Sequence, residues 1–187
     1  MRLTRLYVAA PLLAGARIAL PEAAAGHLVR VLRAQPGDAC VLFNGDGHDY
    51  DARIVAAGKR DAEVEILAAR AIGNESPLRI VLLQALARGE KMDWILQKAT
   101  ELGVEAIVPV ASERSEVRLD GERADKRTAH WRSVVVSACE QSGRATVPAV
   151  AAPASLAQAM AGLPASARRL LLDPQATQGM RKLDLAA

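Results

Sequence analysis

Ionisable side chains gather at four places in the chain, and each spacing suggests its own chemistry. Cys139-Glu140-Gln141-Ser142-Gly143-Arg144 closes the longest helical pattern. A carboxylate, an amide and a guanidinium around a helix end can orient a substrate or stabilise an oxyanion. Glu140 could also take up a proton if burial made it more basic. The same residues serve equally as a local Glu140–Arg144 pair one helical turn apart, worth about a few tenths of a kcal/mol, and both readings stand. Arg88-Gly89-Glu90-Lys91 follows an apolar run, a charged βα loop placed where open α/β sheets receive ligands. Arg114 and Arg118 follow the next apolar run in the same way. Near the start, Arg2 and Arg5 precede His27, Arg30 and Arg33, whose three-residue spacing places the last three on one face of a predicted helix. That face is either merely solvated or a surface that displaces counterions from a phosphate backbone.

Other chemistries find little support. Gly45-Asp46-Gly47 lacks the third glycine of a dinucleotide loop and joins two strand patterns with no helix after it, so it reads as a hairpin turn. The sequence contains no P-loop, no GxSxG elbow and no HExxH. Its three histidines are scattered and its two cysteines, Cys40 and Cys139, lie far apart; no metal site is expected, and the thiols are expected to be reduced.

The elements that must hold these groups fall into two sets. Predicted strands cover 3–8, 17–20, 39–43, 50–55 and 62–67, with one helix running from Pro21 through Leu28, Val31 and Leu32 to a break at Pro36-Gly37. Such a set suggests a compact β-barrel over 1–70. Residues 71–77, with Gly73, Asn74, Ser76 and Pro77, read as a linker. From 78 to 187 the pattern alternates. Buried strands are expected over 79–86, 104–110 and 169–172. A helix carrying Met92, Ile95, Leu96, Ala99 and Leu102 stops at Gly103, and one over 122–142 turns Ala124, Thr128, Trp131, Val135 and Ala138 to one side. A short helix fits 155–161, and Asp173-Pro174 fits a turn. The fold class expected is therefore all-β followed by α/β, with right-handed parallel crossovers in a sheet that looks unfinished at its far edge.

The totals allow this division. The chain has 187 residues, 51% hydrophobic and 24% charged, with a net charge of +3, which is ordinary globular usage. A pI near 9.1 permits a polyanionic partner without requiring one. Aromatic residues make up only 3%, which argues against recognition by stacking bases across a sheet. No apolar run reaches the ~18 residues of a membrane helix, and the opening MRLTRLYVAA turns polar too soon for a signal peptide. A cytoplasmic protein is expected.

Three segments taken together carry more. ALARGEKMDWILQKATELGVEAIVPVASERSEV, WRSVVVSACEQSGRATVPAV and LLLDPQA resemble, in order and spacing, the RsmE family of bacterial 16S rRNA (uracil-N3)-methyltransferases, whose catalytic domain is a knotted SPOUT fold. RLYV and HLVRVLRAQPGD are similar to the family's PUA-like RNA-binding barrel. The resemblance runs from Arg2 to about Pro174.

It implies methylation of N3 of a specific uridine in 16S rRNA of the 30S subunit, with S-adenosylmethionine as donor, by a homodimer of α/β domains. Arg88, Lys91, Gln97, Arg114, Glu140, Gln141 and Arg144 fall on recurrent motif positions. Glu140 and Arg144 are then the catalytic candidates. Arg5, His27, Arg30, Arg33, Arg88, Lys91, Arg114 and Arg118 are the RNA-binding candidates, and Leu172, Asp173, Pro174, Gln175 and Ala176 match the first of three cofactor loops. The family pattern continues with a GPEGG-type loop and an LGPRILRTETA-type segment that are absent from this sequence. The resemblance therefore implies an incomplete cofactor pocket in this chain. The rival expectation is a non-catalytic RNA-binding protein that uses the barrel alone.

Overall fold

The computed structural model describes residues 3–112, 121–177 and 179. The first lobe contains β1 (Thr4–Tyr7), β2 (Arg17–Ala19), α1 (Glu22–Gly26), β3 (Ala39–Phe43), β4 (His48–Ala57) and β5 (Ala62–Ala71). They form one mixed sheet in the order β1-β3-β4-β5-β2, with β1 parallel to β3 and the other pairs antiparallel. The period of two governs which side chains turn inward. Tyr50, Ala52 and Ile54 of β4 and Ala62, Val64 and Ile66 of β5 join Leu6, Leu20, Leu28 and Leu42 in a single core. Among the described residues the hydrogen-bonded ladder runs from β1 to β2 as a five-stranded sheet.

The expected helix after Pro21 is shorter than its apolar spacing suggested. α1 ends at Gly26, and His27–Val31 form a wider π-helical turn in which the Leu32 N–H donates to the His27 carbonyl at 3.2 Å. Leu28 is buried, whereas Val31 is 66% exposed. The π turn changes the rotation per residue, so the spacing no longer keeps all the apolar side chains on one face. At Gly26, where the turn begins, the Arg30 guanidinium folds back over the backbone. A Cβ there would stand 2.6 Å from Arg30 Nη2.

The second lobe contains β6 (Val81–Ala85), α2 (Glu90–Glu101), β7 (Ala106–Ala111), α3 (Gly121–Ser142), β8 (Ala149–Val150), β9 (Ala154–Ser155) and α4 (Leu156–Ala161). Strands β6, β7 and β8 pair in parallel, and β9 rejoins β7 farther along. α2 and α3 cover one face, where Met92 and Leu96 share a core with Trp131, Val135 and Ile107. Burying each such side chain contributes about 1.5–3 kcal/mol. Gly103 (φ 93°) and Gly143 (φ 85°) end the two helices in the left-handed region, where a side chain would be strained. Ser155 begins α4 with a capping box shared with Gln158.

Two expectations fail here. β6 is only partly buried, and residues 169–172 form no strand; Leu170, Leu171 and Leu172 are 48%, 87% and 77% exposed. An apolar run becomes a buried parallel strand only with a paired neighbour and a cover on each face. Among the described residues the 169–172 segment has neither. Asp173–Ala176 does form the expected turn, with the Ala176 N–H donating to the Asp173 carbonyl at 3.0 Å and the Gln175 N–H to Asp173 Oδ1 at 2.9 Å.

Candidate functional site

The parallel sheet has two ends, and the candidate residues divide between them. β6 and β7 point their carboxyl ends toward Arg88 and Ser112, while α2 and α3 run back toward the amino ends. A strand of five residues spans about 17 Å, so groups at opposite ends cannot touch one small substrate.

Glu140 and Arg144 lie at the amino end. Arg144 is 5% exposed. Its Nε and Nη2 donate to the Glu75 carboxylate at 2.6–3.1 Å, and its Nη1 donates to the carbonyls of Thr100 (2.9 Å) and Val104 (3.0 Å). Four of the five guanidinium N–H donors are thus directed at protein acceptors. The Arg144 carbonyl accepts from Arg5 Nη2 at 3.1 Å. Arg5 itself pairs with Asp49, both side chains 8% exposed, and lies over the Phe43 ring 4.8 Å from its centroid. Glu140 Oε1 accepts from the backbone N–H of Tyr7 at 3.0 Å. No local Glu140–Arg144 pair forms among these contacts. The expected catalytic pair and Arg5 all lie at the junction between the lobes, the Arg144 and Arg5 side chains nearly buried and Glu140 half-buried.

The same junction absorbs two other features. The Asn44–Gly47 loop is a turn, as expected, with Gly45 at φ 95° and Gly47 at φ 89°. It abuts the segment after α3, where the Gly47 N–H donates to the Ala145 carbonyl at 3.3 Å. The 71–77 segment is stitched down rather than loose: Asn74 Nδ2 donates to the Gly143 carbonyl at 3.1 Å, beside the Glu75–Arg144 pair. Sequence reading missed Glu75 and Asp49. They stand 69 and 44 residues from their partners, and no local spacing signals such contacts.

Arg88 and Lys91 lie at the carboxyl end, both exposed, around the start of α2. Gly89 between them takes φ 51°, ψ −136°, a conformation that suits glycine and lets the chain reverse from strand to helix. Arg114 and Arg118, expected beside them, lie outside the described residues, as does Arg2. Leu172 to Ala176 are exposed throughout, and the Asp173 carboxylate is engaged in its own turn. Farther along the helices, Gln97 and Gln141 together line a shallow depression of about 290 Å³ between α2 and α3.

In the first lobe His27, Arg30 and Arg33 are all exposed, but not along one α-helical face. His27 and Arg30 belong to the π turn. Arg33 lies past it with φ 53°, a left-handed conformation that an arginine adopts at a cost. Among the described residues no group of three metal-ligating side chains occurs, and no helix is long and apolar enough to cross a membrane. Burial pushes both thiols up to about 11, with the Arg144 charge partly opposing this at Cys139.

Comparison with known proteins adds what the described geometry leaves open. A family model for an RNA methyltransferase domain matches residues 74–187, and one for an RNA methyltransferase PUA domain matches 20–67. The crystal structure of a ribosomal RNA small subunit methyltransferase E from Neisseria gonorrhoeae, bound to S-adenosyl methionine, superposes with a TM-score of 0.94 at 41% identity. The match covers all of this chain and 76% of that one. A Legionella pneumophila protein in complex with the bound cofactor SAM gives 0.93 at 33% identity, over 98% of this chain and 76% of that one. The ribosomal RNA small subunit methyltransferase E of Bacillus subtilis is 32% identical over 66% of this chain and 48% of its own length. The chain thus spans about half of that curated relative, and 62% of the one from Buchnera aphidicola. Both lobes are accounted for by one set of relatives, and the chain belongs to the ribosomal RNA small subunit methyltransferase E family.

Proposed function

We propose that the protein transfers a methyl group from S-adenosylmethionine to N3 of a specific uridine in 16S rRNA, as a cytoplasmic homodimer acting on the 30S subunit. The observation that carries this reading is the 0.94 TM-score, at 41% identity over the whole chain, to a relative solved with S-adenosyl methionine. The first lobe would dock RNA through Arg30, Arg33 and His27. The carboxyl end of the parallel sheet would receive the target base, with Arg88 and Lys91, and Arg114 and Arg118 beyond the described residues, contacting phosphates or the uracil oxygens.

Uracil N3 carries a proton at neutral pH, and that proton lies on the pairing edge. The edge must therefore be exposed and the proton removed or polarised. Guanidinium groups fixed beside the uracil oxygens would stabilise the developing oxyanion, and alignment alone can contribute several kcal/mol. The cofactor supplies an electrophilic methyl group. Leu172–Ala176 would lie against it, but they are exposed and do not by themselves enclose a nucleoside. Glu140 and Arg144, engaged at the opposite end of the sheet, have no role in contacting the base in this scheme.

The full-length protein should transfer label from S-adenosylmethionine to 30S particles lacking the modification, and the labelled nucleoside should be N3-methyluridine. Absence of transfer with retained RNA binding would favour the non-catalytic binder. Replacing Arg30 and Arg33 with alanine should weaken RNA binding and flatten its salt dependence by about 0.7–0.9 per lost phosphate contact.

A further inference from the structure

The residues that join the lobes are unusual in kind. Apolar packing would hold two lobes together at less desolvation cost, yet Arg144 and Arg5, each with a nearly buried side chain, stand at the centre of this junction. A buried ion pair is weak as a source of stability, because desolvation offsets much of its attraction; its better-attested use is to specify one arrangement. The contacts here are directional and come from separate elements. Arg144 binds the Glu75 carboxylate between the lobes and two carbonyls beside α2 and β7, while its own carbonyl receives Arg5 from β1. Glu140 adds a tie to the backbone of Tyr7.

We propose that Arg144 is a positioning residue: by clamping Glu75, in the segment that joins the lobes, against α2 and the start of β7, it fixes the orientation of the first lobe relative to the parallel sheet, so that RNA held by that lobe meets the carboxyl edge at a set geometry. The inference rests on the RNA-methylating function above. Its leverage comes from distance. The junction lies at the amino end, about 17 Å from the carboxyl end, so a rotation of about 10° at the junction displaces a bound base by about 3 Å. A misplacement of about 1 Å can cost about a hundredfold in rate.

The test uses the full-length protein with Glu75→Gln, which removes the charge and keeps the shape, and with Arg144→Lys, which removes the fork. Spin labels on Arg60→Cys and Arg123→Cys, both at exposed positions, report the distance between lobes. The native thiols, pushed up to about 11, do not compete for label at neutral pH. The distance distribution should broaden in both variants. kcat on 30S particles should fall at least tenfold, while KM for the particles and Kd for S-adenosylmethionine stay within about threefold. Glu75→Asp, which restores the carboxylate, should recover most of kcat. An unchanged distribution in Glu75→Gln would overturn the proposal, even if Arg144→Lys proved too unstable to measure. So would a broadened distribution with unchanged kcat, or a loss confined to cofactor affinity. A wild-type protein that transfers no methyl group would instead refute the function, and the distance measurement would still decide whether the clamp exists.

Discussion

Truncating Arg144 to alanine should be among the most destabilising single changes in the described chain, and the contacts say by how much. The change deletes four donated hydrogen bonds. It leaves the Val104 carbonyl without its Nη1 donor, at about 1–3 kcal/mol for a buried acceptor left unsatisfied, whereas the Thr100 carbonyl still accepts from the Gly103 N–H at 3.1 Å. It also strands the Glu75 carboxylate, whose 30% side-chain exposure lets water recover part of its solvation. Breaking a buried ion pair from one side costs about 3–5 kcal/mol, which takes in the lost Val104 contact. For a chain of 187 residues that corresponds to a fall in Tm of about 6–20 °C. Glu75→Gln leaves both carbonyls satisfied and should cost about 1–2 kcal/mol. Urea titrations followed by fluorescence of the buried Trp131 would measure both, and the double variant would yield their coupling. If Arg144→Ala lost less than about 1 kcal/mol with an unchanged m-value, the described hydrogen bonds could not be holding the junction.

Arg33→Gly should stabilise the fold while weakening RNA binding. Relieving φ 53° returns about 1–2 kcal/mol, less about 0.4–1 kcal/mol for the freer unfolded chain, and thermal melts with RNA titrations would separate the two effects. The buried thiols should react with an aromatic disulfide reagent only on unfolding, since at pH 7.5 a group pushed up to about 11 is ionised about once in three thousand; rapid labelling of native protein would contradict their burial. At the β3–β4 turn, burial works against ionised Asp46. The Tyr50 hydroxyl at 2.6 Å, the His48 backbone N–H and the His48 and Asn44 side chains outweigh it and hold Asp46 below the usual carboxylate range. A depressed carboxyl contributes stability that is present above its unfolded pKa and lost as pH falls through its folded one. Tyr50→Phe should therefore be less stable than wild type at pH 7, with the gap in urea midpoint narrowing below about pH 4; a gap independent of pH would exclude this coupling.

The elements with strong local signals were legible. Trp131, Val135 and Ala138 marked the buried side of α3 because a helix repeats every 3.6 residues whatever it packs against. Gly103 and Gly143 marked the helix ends because few other residues accept a left-handed backbone. The resemblance to the methyltransferase family was legible for a different reason: several separate motifs kept their order. The π turn after Gly26 was not legible, since Leu28, Val31 and Leu32 fit an α-helix as well as they fit the observed turn, and only packing against the first core chose Leu28 alone.

The sequence by itself determined which residues could ionise, where the two long helices α2 and α3 would run and stop, and which relatives the chain would match. Tertiary structure alone decided what the charged residues do. Glu140 and Arg144 sit four residues apart and invite a local pair, yet Arg144 finds Glu75, Thr100 and Val104, and Glu140 finds Tyr7. A helical repeat can be written in neighbouring residues because its hydrogen bonds are local. A buried guanidinium takes its partners from wherever the folded chain leaves acceptors unsatisfied, and here those lie 40 to 69 residues away.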